Sequence, residues 1–596
     1  LSTNIGLDIK YRLSSSSSID LTINPDFGQI EMDPKYINLT YYEIELPEKR
    51  AFFNQSESVF DMPISIFYSR RIGEPDHLDN IDYRINKAFK FMGSTKKGWG
   101  YTSILAETSM RKEYENLAGQ KIYSINRITK NFLGGKSKVG LSNTYFSFDL
   151  NNYDTIYQQS YSLDHIVYLL SNQIFIDYQL AQSINQSNVI GNGYSLSVGY
   201  ASSYPISLTI NMENYDREFN ISRMGYLIRN NIKRYQIKLG YKILNPIHFI
   251  REMNLNLIRS NSQNYNEEEI ENRFGIESII ESENYNYIRF SYFIDKEHYN
   301  DYLTYDRELN KVGLTFHLPE SYQTAIKYYS DRRRDLSFNI GLEYKQSKIH
   351  QNNIFNSNDN YIGFNFELNG RFDFLSIRNI SLSYENQSKN QAYGFVELIQ
   401  QEIISYGNLI SEEYNIFSNQ KGWLNRYSIT LEEYFSNSIS LEIYCEYLQR
   451  FNQFSNFTEL TGSSRWPQVT DVITGYTYSY LDYNGSQIQD EVPSIYTDGI
   501  TEPIYDEEEE SLTQDLNPNY YIGFYPRYTN FNLNFSFKWE YNQSSDIYVI
   551  YRLTKSVNGK IFNTINDFFM YSNNDIWTER YFDASFYIKF NYWFDI

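Results

Sequence analysis

Strict alternation of apolar and polar residues recurs along this chain. In Phe531-Asn532-Leu533-Asn534-Phe535-Ser536-Phe537-Lys538-Trp539 every odd position is apolar and every even one polar. Leu336, Phe338, Ile340, Leu342 and Tyr344 alternate with Ser337, Asn339, Gly341 and Glu343, and Ile362, Phe364, Phe366 and Leu368 with Gly363, Asn365, Glu367 and Asn369. The C-terminus repeats the pattern with Phe586, Ile588, Phe590, Tyr592, Phe594 and Ile596. A period of two means a strand with one apolar face. The segments run to roughly 9–13 residues, longer than the usual strand and long enough to cross a bilayer at a tilt. Candidates recur from 4–12 to 582–595, among them 37–45, 62–70, 221–229, 376–387 and 394–406.

A soluble sandwich also alternates, but its strands are usually shorter. The pattern therefore predicts an all-β protein, a large closed antiparallel transmembrane β-barrel of about 24–28 strands with long extracellular loops. Phe535, Phe537, Leu342, Phe364, Phe590 and Ile588 should face lipid. Asn534, Ser536, Glu343, Glu367 and Lys589 should face the lumen or rim water. Between about 451 and 518 alternation fades, which predicts a surface loop insertion. Trp466, Tyr476, Tyr478 and Tyr480 in it are candidate glycan-stacking residues. The run Asp506, Glu507, Glu508, Glu509, Glu510 is a weak calcium candidate that reads more simply as a solvated tip, because EF-hand spacing is missing.

Composition agrees with a surface between lipid and water. Of 596 residues, 18% are aromatic, with 59 Tyr and 40 Phe, while apolar residues total only 41%; the mean hydropathy is −0.56. A single cysteine, Cys445, rules out a disulfide framework and a cysteine-built zinc site. The net charge of −20 disfavours nucleic acid as a partner. The six histidines are scattered, and no metalloprotease spacing, nucleophile elbow or phosphate loop occurs. Neither an enzyme nor a cofactor is expected. The chain opens on Leu-Ser-Thr without Met, so a mature product or the later part of a longer polypeptide is expected.

The first 75 residues form a charged region distinct from the barrel expected over 76–596. Asp26, Glu31, Asp33 and Glu48 are interleaved with Lys49, Arg50, Arg70 and Arg71. Charge of this density cannot face lipid. The eight are expected to neutralise one another inside the lumen or at its periplasmic mouth, either holding the first strands in place or gating a ligand. Pro47-Glu48-Lys49-Arg50 reads as a short helix start.

Here the sequence resembles a known family. Asn24-Pro25-Asp26-Phe27-Gly28-Gln29-Ile30-Glu31-Met32-Asp33-Pro34, Asn38-Leu39-Thr40, Pro47-Glu48-Lys49-Arg50-Ala51-Phe52-Phe53 and Tyr68-Ser69-Arg70-Arg71-Ile72-Gly73 look like the signature of DUF5916, common in Bacteroidota. Typical members carry an acidic residue after the paired Phe, where this chain has Asn54-Gln55. They also place a family 9 type carbohydrate-binding module ahead of this region, and the chain resembles the DUF5916 part alone. The resemblance implies the bacterial outer membrane and no settled activity. Three roles follow: a channel or transporter, a filled barrel within an outer-membrane assembly, or a surface glycan binder. The expected partners are outer-membrane lipid and lipopolysaccharide, with other outer-membrane or periplasmic proteins and glycans as alternatives.

Overall fold

The computed structural model describes residues 6–592 except 26–42, 44, 49, 57–58, 74–82, 111–118, 150–154, 202–204, 244, 302–314, 348–359, 375, 406–407, 461–467, 472–476, 480–526, 543–544 and 559–581. The described residues are almost wholly β, and their strands pair antiparallel. They fall into two compact units: Leu1–Leu244 with Asn256–Glu271, and Asn245–Leu255 with Asn272–Ile596.

The first unit is built on a meander of eleven strands. These are β1 (Leu7–Ser14), β2 (Ser17–Ile23), β3 (Tyr83–Ser94), β4 (Trp99–Met110), β5 (Lys121–Phe132), β6 (Ser137–Phe148), β7 (Ile156–Leu169), β8 (Ile174–Asn185), β9 (Ile190–Ala201), β10 (Ile206–Tyr215) and β11 (Ile232–Ile243). Each pairs with the next in sequence. Short connections lie at one end, such as residues 15–16, 95–98 and 133–136; most long ones, above all 24–82 and 216–231, lie at the other.

The sheet is inside-out. Directly opposed residues share a face, so Thr102, Arg127, Ser142, Ser162 and Ala181 form one row across β4 to β8. All five are buried. The adjacent row on the other face is Tyr101, Ile128, Leu141, Leu163 and Leu180, of which Ile128, Leu141 and Leu180 are more than half exposed. Polar residues are thus covered while large aliphatics stand outward, the reverse of a soluble protein's usual placement.

The segment 46–73 covers the polar face. Its apolar side chains, including Phe53, Phe60, Met62, Ile64, Ile66 and Ile72, form one buried cluster with Ile104, Tyr123, Ile125 and Phe146 of the sheet and with Phe219, Ile221 and Met224 of the β10–β11 connection. Two expected strands are corrected here. Neither 62–70 nor 221–229 is a strand: 62–68 is loop leading into the short 3-10 helix Ser69–Arg71, and 221–229 is turn and loop. The alternation at Met62, Ile64 and Ile66 is read by the covered face of the sheet, and Pro63 lacks the N–H that a ladder needs. Gln179 stands in for a neighbouring strand: its Oε1 accepts from Ile64 N at 2.6 Å and its Nε2 donates to Ile64 O at 3.1 Å.

The second unit carries a further antiparallel series, from Glu269–Ser282 through Tyr287–Asp295, Ser321–Tyr329, Leu336–Ser347 and Asn360–Phe374 to Ser376–Ser405, Asn408–Ser436, Ile439–Leu460, Arg527–Asn542, Ser545–Asn558 and Asp583–Phe590. The separate candidates 376–387 and 394–406 are one strand, bulged between Lys389 and Ala392 and again between Phe395 and Glu397. The strand Ile439–Leu460 continues past Phe451, where alternation fades. Leu342, Ile588 and Phe590 are exposed, while Glu343, Glu367 and Lys589 are half-buried. Phe535, Phe537 and Phe364 are also half-buried, as are Asn534 and Ser536.

Candidate functional site

The site is the seat of segment 46–73 on the polar face of the first unit. A four-residue helix, Ala51–Asn54, follows directly on Arg50, whose side chain makes no capping bond to it. The helix expected to start at Pro47 therefore begins later, because Glu48 and Arg50 are engaged with each other and with the chain at 69–72. Arg50 donates to Glu48 through Nε at 2.9 Å and Nη2 at 2.7 Å, and its backbone N–H also reaches Glu48 at 2.8 Å. Its remaining donors reach Ile72 O and Ser69 O, each at 2.7 Å, and its guanidinium lies 4.5 Å from the Phe53 ring centroid. Ser69 donates to Glu48 at 2.5 Å. Both charged groups are buried. Burial pushes the Glu48 carboxyl up, but the Arg50 hydrogen bond and charge, with Ser69, more than offset this and hold it below the ordinary carboxylate value.

Arg71 pairs with Glu43 at 2.6 Å and donates to Gly225 O at 3.2 Å. Arg70 donates to Pro47 O. Asp26, Glu31, Asp33 and Lys49 lie outside the described residues, as do Trp466, Tyr476, Tyr480 and Asp506 to Glu510. Tyr478 sits in the short strand Thr477–Ser479, opposite Val469.

Two ion pairs on the sheet itself, which sequence reasoning missed, anchor the seat. Lys90, fully buried on β3, lies 3.1 Å from Asp20 on β2 and donates to Phe52 O of the seated segment. Arg127 on β5 holds Asp164 on β7 in a two-pronged pair at 2.5 and 2.8 Å, and also donates to Ser142 Oγ and Met62 Sδ. Gly140 on the intervening β6 makes that reach possible: a Cβ there would stand 2.6 Å from Asp164 Oδ1 and 2.7 Å from Arg127 Nη2. The signal was present in the pattern. Lys90 and Arg127 are charges flanked by outward apolar residues (Phe89, Phe91 and Ile128), so the alternation puts both on the opposite face.

Two clefts border the segment. One, of about 890 Å³, lies toward the long-connection end and is lined by Glu45, Glu48, Asp61, Glu213, Arg229 and Arg234 among its charged groups. The other, of about 860 Å³, includes the Ser14–Ser18 turn and the start of β4. Among the described residues no group of three or more metal-ligating side chains occurs.

The fold and site define a large antiparallel β-sheet protein with a chain segment seated on its polar face. The chain belongs to the family DUF5916, a domain of unknown function, whose model matches residues 1–484. That match runs far beyond the N-terminal motifs that carry the resemblance. Among curated proteins none matches. Solved structures with similarity include the FrpB iron transporter from Neisseria meningitidis (9% identity, TM-score 0.32, covering 79% of this chain and 66% of that one). The copper transporter OprC is 6% identical with a TM-score of 0.33, covering 79% and 72%. The RagAB peptide transporter is 10% identical with a TM-score of 0.30, covering 81% and 52%.

Proposed function

We propose that the strands close into a transmembrane barrel of the bacterial outer membrane, and that the protein is a channel or transporter with segment 46–73 as its occluding element. The observation that carries this reading is the inverted sheet with its polar face filled. Outward apolar residues form a band: Ile174, Ile176, Tyr178 and Leu180 on β8, Ile206, Leu208, Ile210 and Met212 on β10, and Tyr235, Ile237, Leu239 and Tyr241 on β11. At about 3.3 Å per residue each set covers roughly 20 Å of strand, close to the ~25 Å apolar band of outer-membrane barrels. In lipid every sheet edge must be paired, and β1, exposed at all eight residues, is the edge that closure would cover. The reading is non-enzymatic, with outer-membrane lipid and lipopolysaccharide as surroundings.

Planar-bilayer conductance of the full chain tests it. The wild type should be closed at rest, and Gln179→Leu, which frees Ile64, should open it. The second reading is a permanently filled barrel that anchors partners or glycans, and the buried apolar cluster around Phe53 and Phe219 favours it. Absence of conductance in a variant whose segment has been shown to undock would establish that alternative.

A further inference from the structure

The cleft of about 890 Å³ at the long-connection end of the first unit is bounded by elements that touch one another. One wall is sheet: Glu213 and Tyr215 on β10 stand directly opposite Arg234 and Ile232 on β11. The facing side is the seated segment. It is stitched to the β10–β11 connection by Tyr68 N to Met224 O at 2.7 Å and Tyr226 N to Ser65 O at 2.9 Å. The rings of Tyr68 and Tyr226 meet edge to face at 5.6 Å, and their hydroxyls donate to Leu46 O and Glu43 O.

The charged groups of the lining are unequally committed. Glu48 is satisfied by Arg50. Arg234 lies 3.3 Å from Glu213 and 3.5 Å from Glu271, and Arg229 donates to Asn230 O and Asn231 O. Glu45 and Asp61 are exposed, with no ion pair or hydrogen bond among the described residues. Asp61 acts on Lys138 and Asp177 only at longer range. A third group is also left over. Tyr215 is 6% exposed and stacks on Phe219 at 5.7 Å, yet its hydroxyl has no hydrogen-bond partner among the described residues. A buried phenol usually finds one.

We propose that this cleft binds a cationic ligand with an apolar body: an amine met by the carboxylates of Glu45 and Asp61, its body lying on the aromatic lining. An ammonium carries three donors and no acceptor, which suits two free carboxylates and a phenol oxygen. An anion would instead meet uncompensated carboxylate, with both lining guanidiniums already engaged. The faces of Tyr68 and Tyr226 add cation–π attraction. The volume lies within the range of about 300–1,000 Å³ usual for small-molecule sites, which are mostly apolar with a few placed polar groups. The cleft stands whether or not the protein conducts.

The test is calorimetric titration of the purified full chain, in zwitterionic detergent at low salt, with phenethylamine, phenylethanol and phenylacetate. The three share one body and differ in charge, and heats in protein-free micelles are subtracted. Saturable binding is expected for the amine, about tenfold or more weaker binding for the alcohol, and none for phenylacetate. Glu45→Gln and Asp61→Asn should each weaken the amine several-fold, and Tyr215→Phe should weaken it as well. Glu45 and Asp61 are exposed, so their variants should keep the wild-type heat stability and carry the test if Tyr215→Phe misfolds. The proposal is overturned if the amine shows no saturable binding, or if the alcohol or phenylacetate binds as tightly. Unchanged affinity for the amine in both carboxylate variants overturns it too.

Discussion

The two units treat their buried faces differently. In residues 1–244 the buried apolar side chains gather in one cluster of the sheet, segment 46–73 and the β10–β11 connection. In residues 272–596 the buried positions are mostly polar, among them Ser337, Asn339, Glu433, Glu446 and Asn532. There the side chains bond one another across strands: Arg378 to Glu433 at 2.7 Å, Arg426 to Glu385 at 2.8 Å, and Asn339 to Glu367 at 2.7 Å. Both units use the same alternating code. A polar sheet face can be completed by lateral hydrogen bonds, or by a seated segment that brings its own apolar residues and satisfies its backbone through Gln179, Lys90 and Arg50.

Breaking a buried, two-pronged charge pair beneath the seat should show this difference most strongly. Asp164→Ala leaves Arg127 buried without its partner, a loss of about 3–5 kcal/mol, read as a large drop in the temperature at which folded electrophoretic mobility is lost. Arg378→Ala, whose side chain is nearly half exposed, should lower it far less, because exposed pairs contribute about 0–1 kcal/mol. Next in size, Ile128→Arg on the outward face should cost about 2–4 kcal/mol if that position lies near the bilayer midplane; an unchanged melting temperature in lipid would remove the membrane reading for β5. Gln179→Leu should cost about 1–3 kcal/mol by stranding the Ile64 amide and carbonyl, with faster proteolysis confined to 46–73.

The smallest effect is on pH. Because the folded Glu48 carboxyl lies below its ordinary value, its contribution is fully present above that value and is lost as pH falls through the folded one. Hydrogen exchange at Ser69 to Ile72, corrected for intrinsic rates, should accelerate on acidification, and Glu48→Gln should flatten the profile. An unchanged slope in that variant would show that Glu48 does not hold the segment.

Fold class was legible in the sequence because alternation survives wherever one strand face is apolar, as at Leu336 to Tyr344. The same code misled at Met62 to Arg70. There the apolar set is buried by a sheet face, and periodicity cannot distinguish that partner from lipid. Glu48 and Arg50 stood out as charges near paired Phe residues, but their engagement with Ser69 and Ile72 depends on a chain reversal invisible to local pattern. Asp20–Lys90 and Arg127–Asp164 required knowing which strands neighbour each other. Once the meander is given, cross-strand register brings Asp20 opposite Lys90.

In the proposed barrel the first unit's sheet is inside-out, with its apolar face in lipid and its polar face under segment 46–73. Spin labels placed singly along β8, from Ile174 to Asn185 in a Cys445→Ser background, test it directly in reconstituted bilayers. Period-two accessibility to oxygen is expected, high at 174, 176, 178 and 180, with 177 and 179 shielded from both oxygen and a water-soluble nickel chelate. Equal access of the chelate to 176 and 178, or oxygen maxima at 177 and 179, would contradict it.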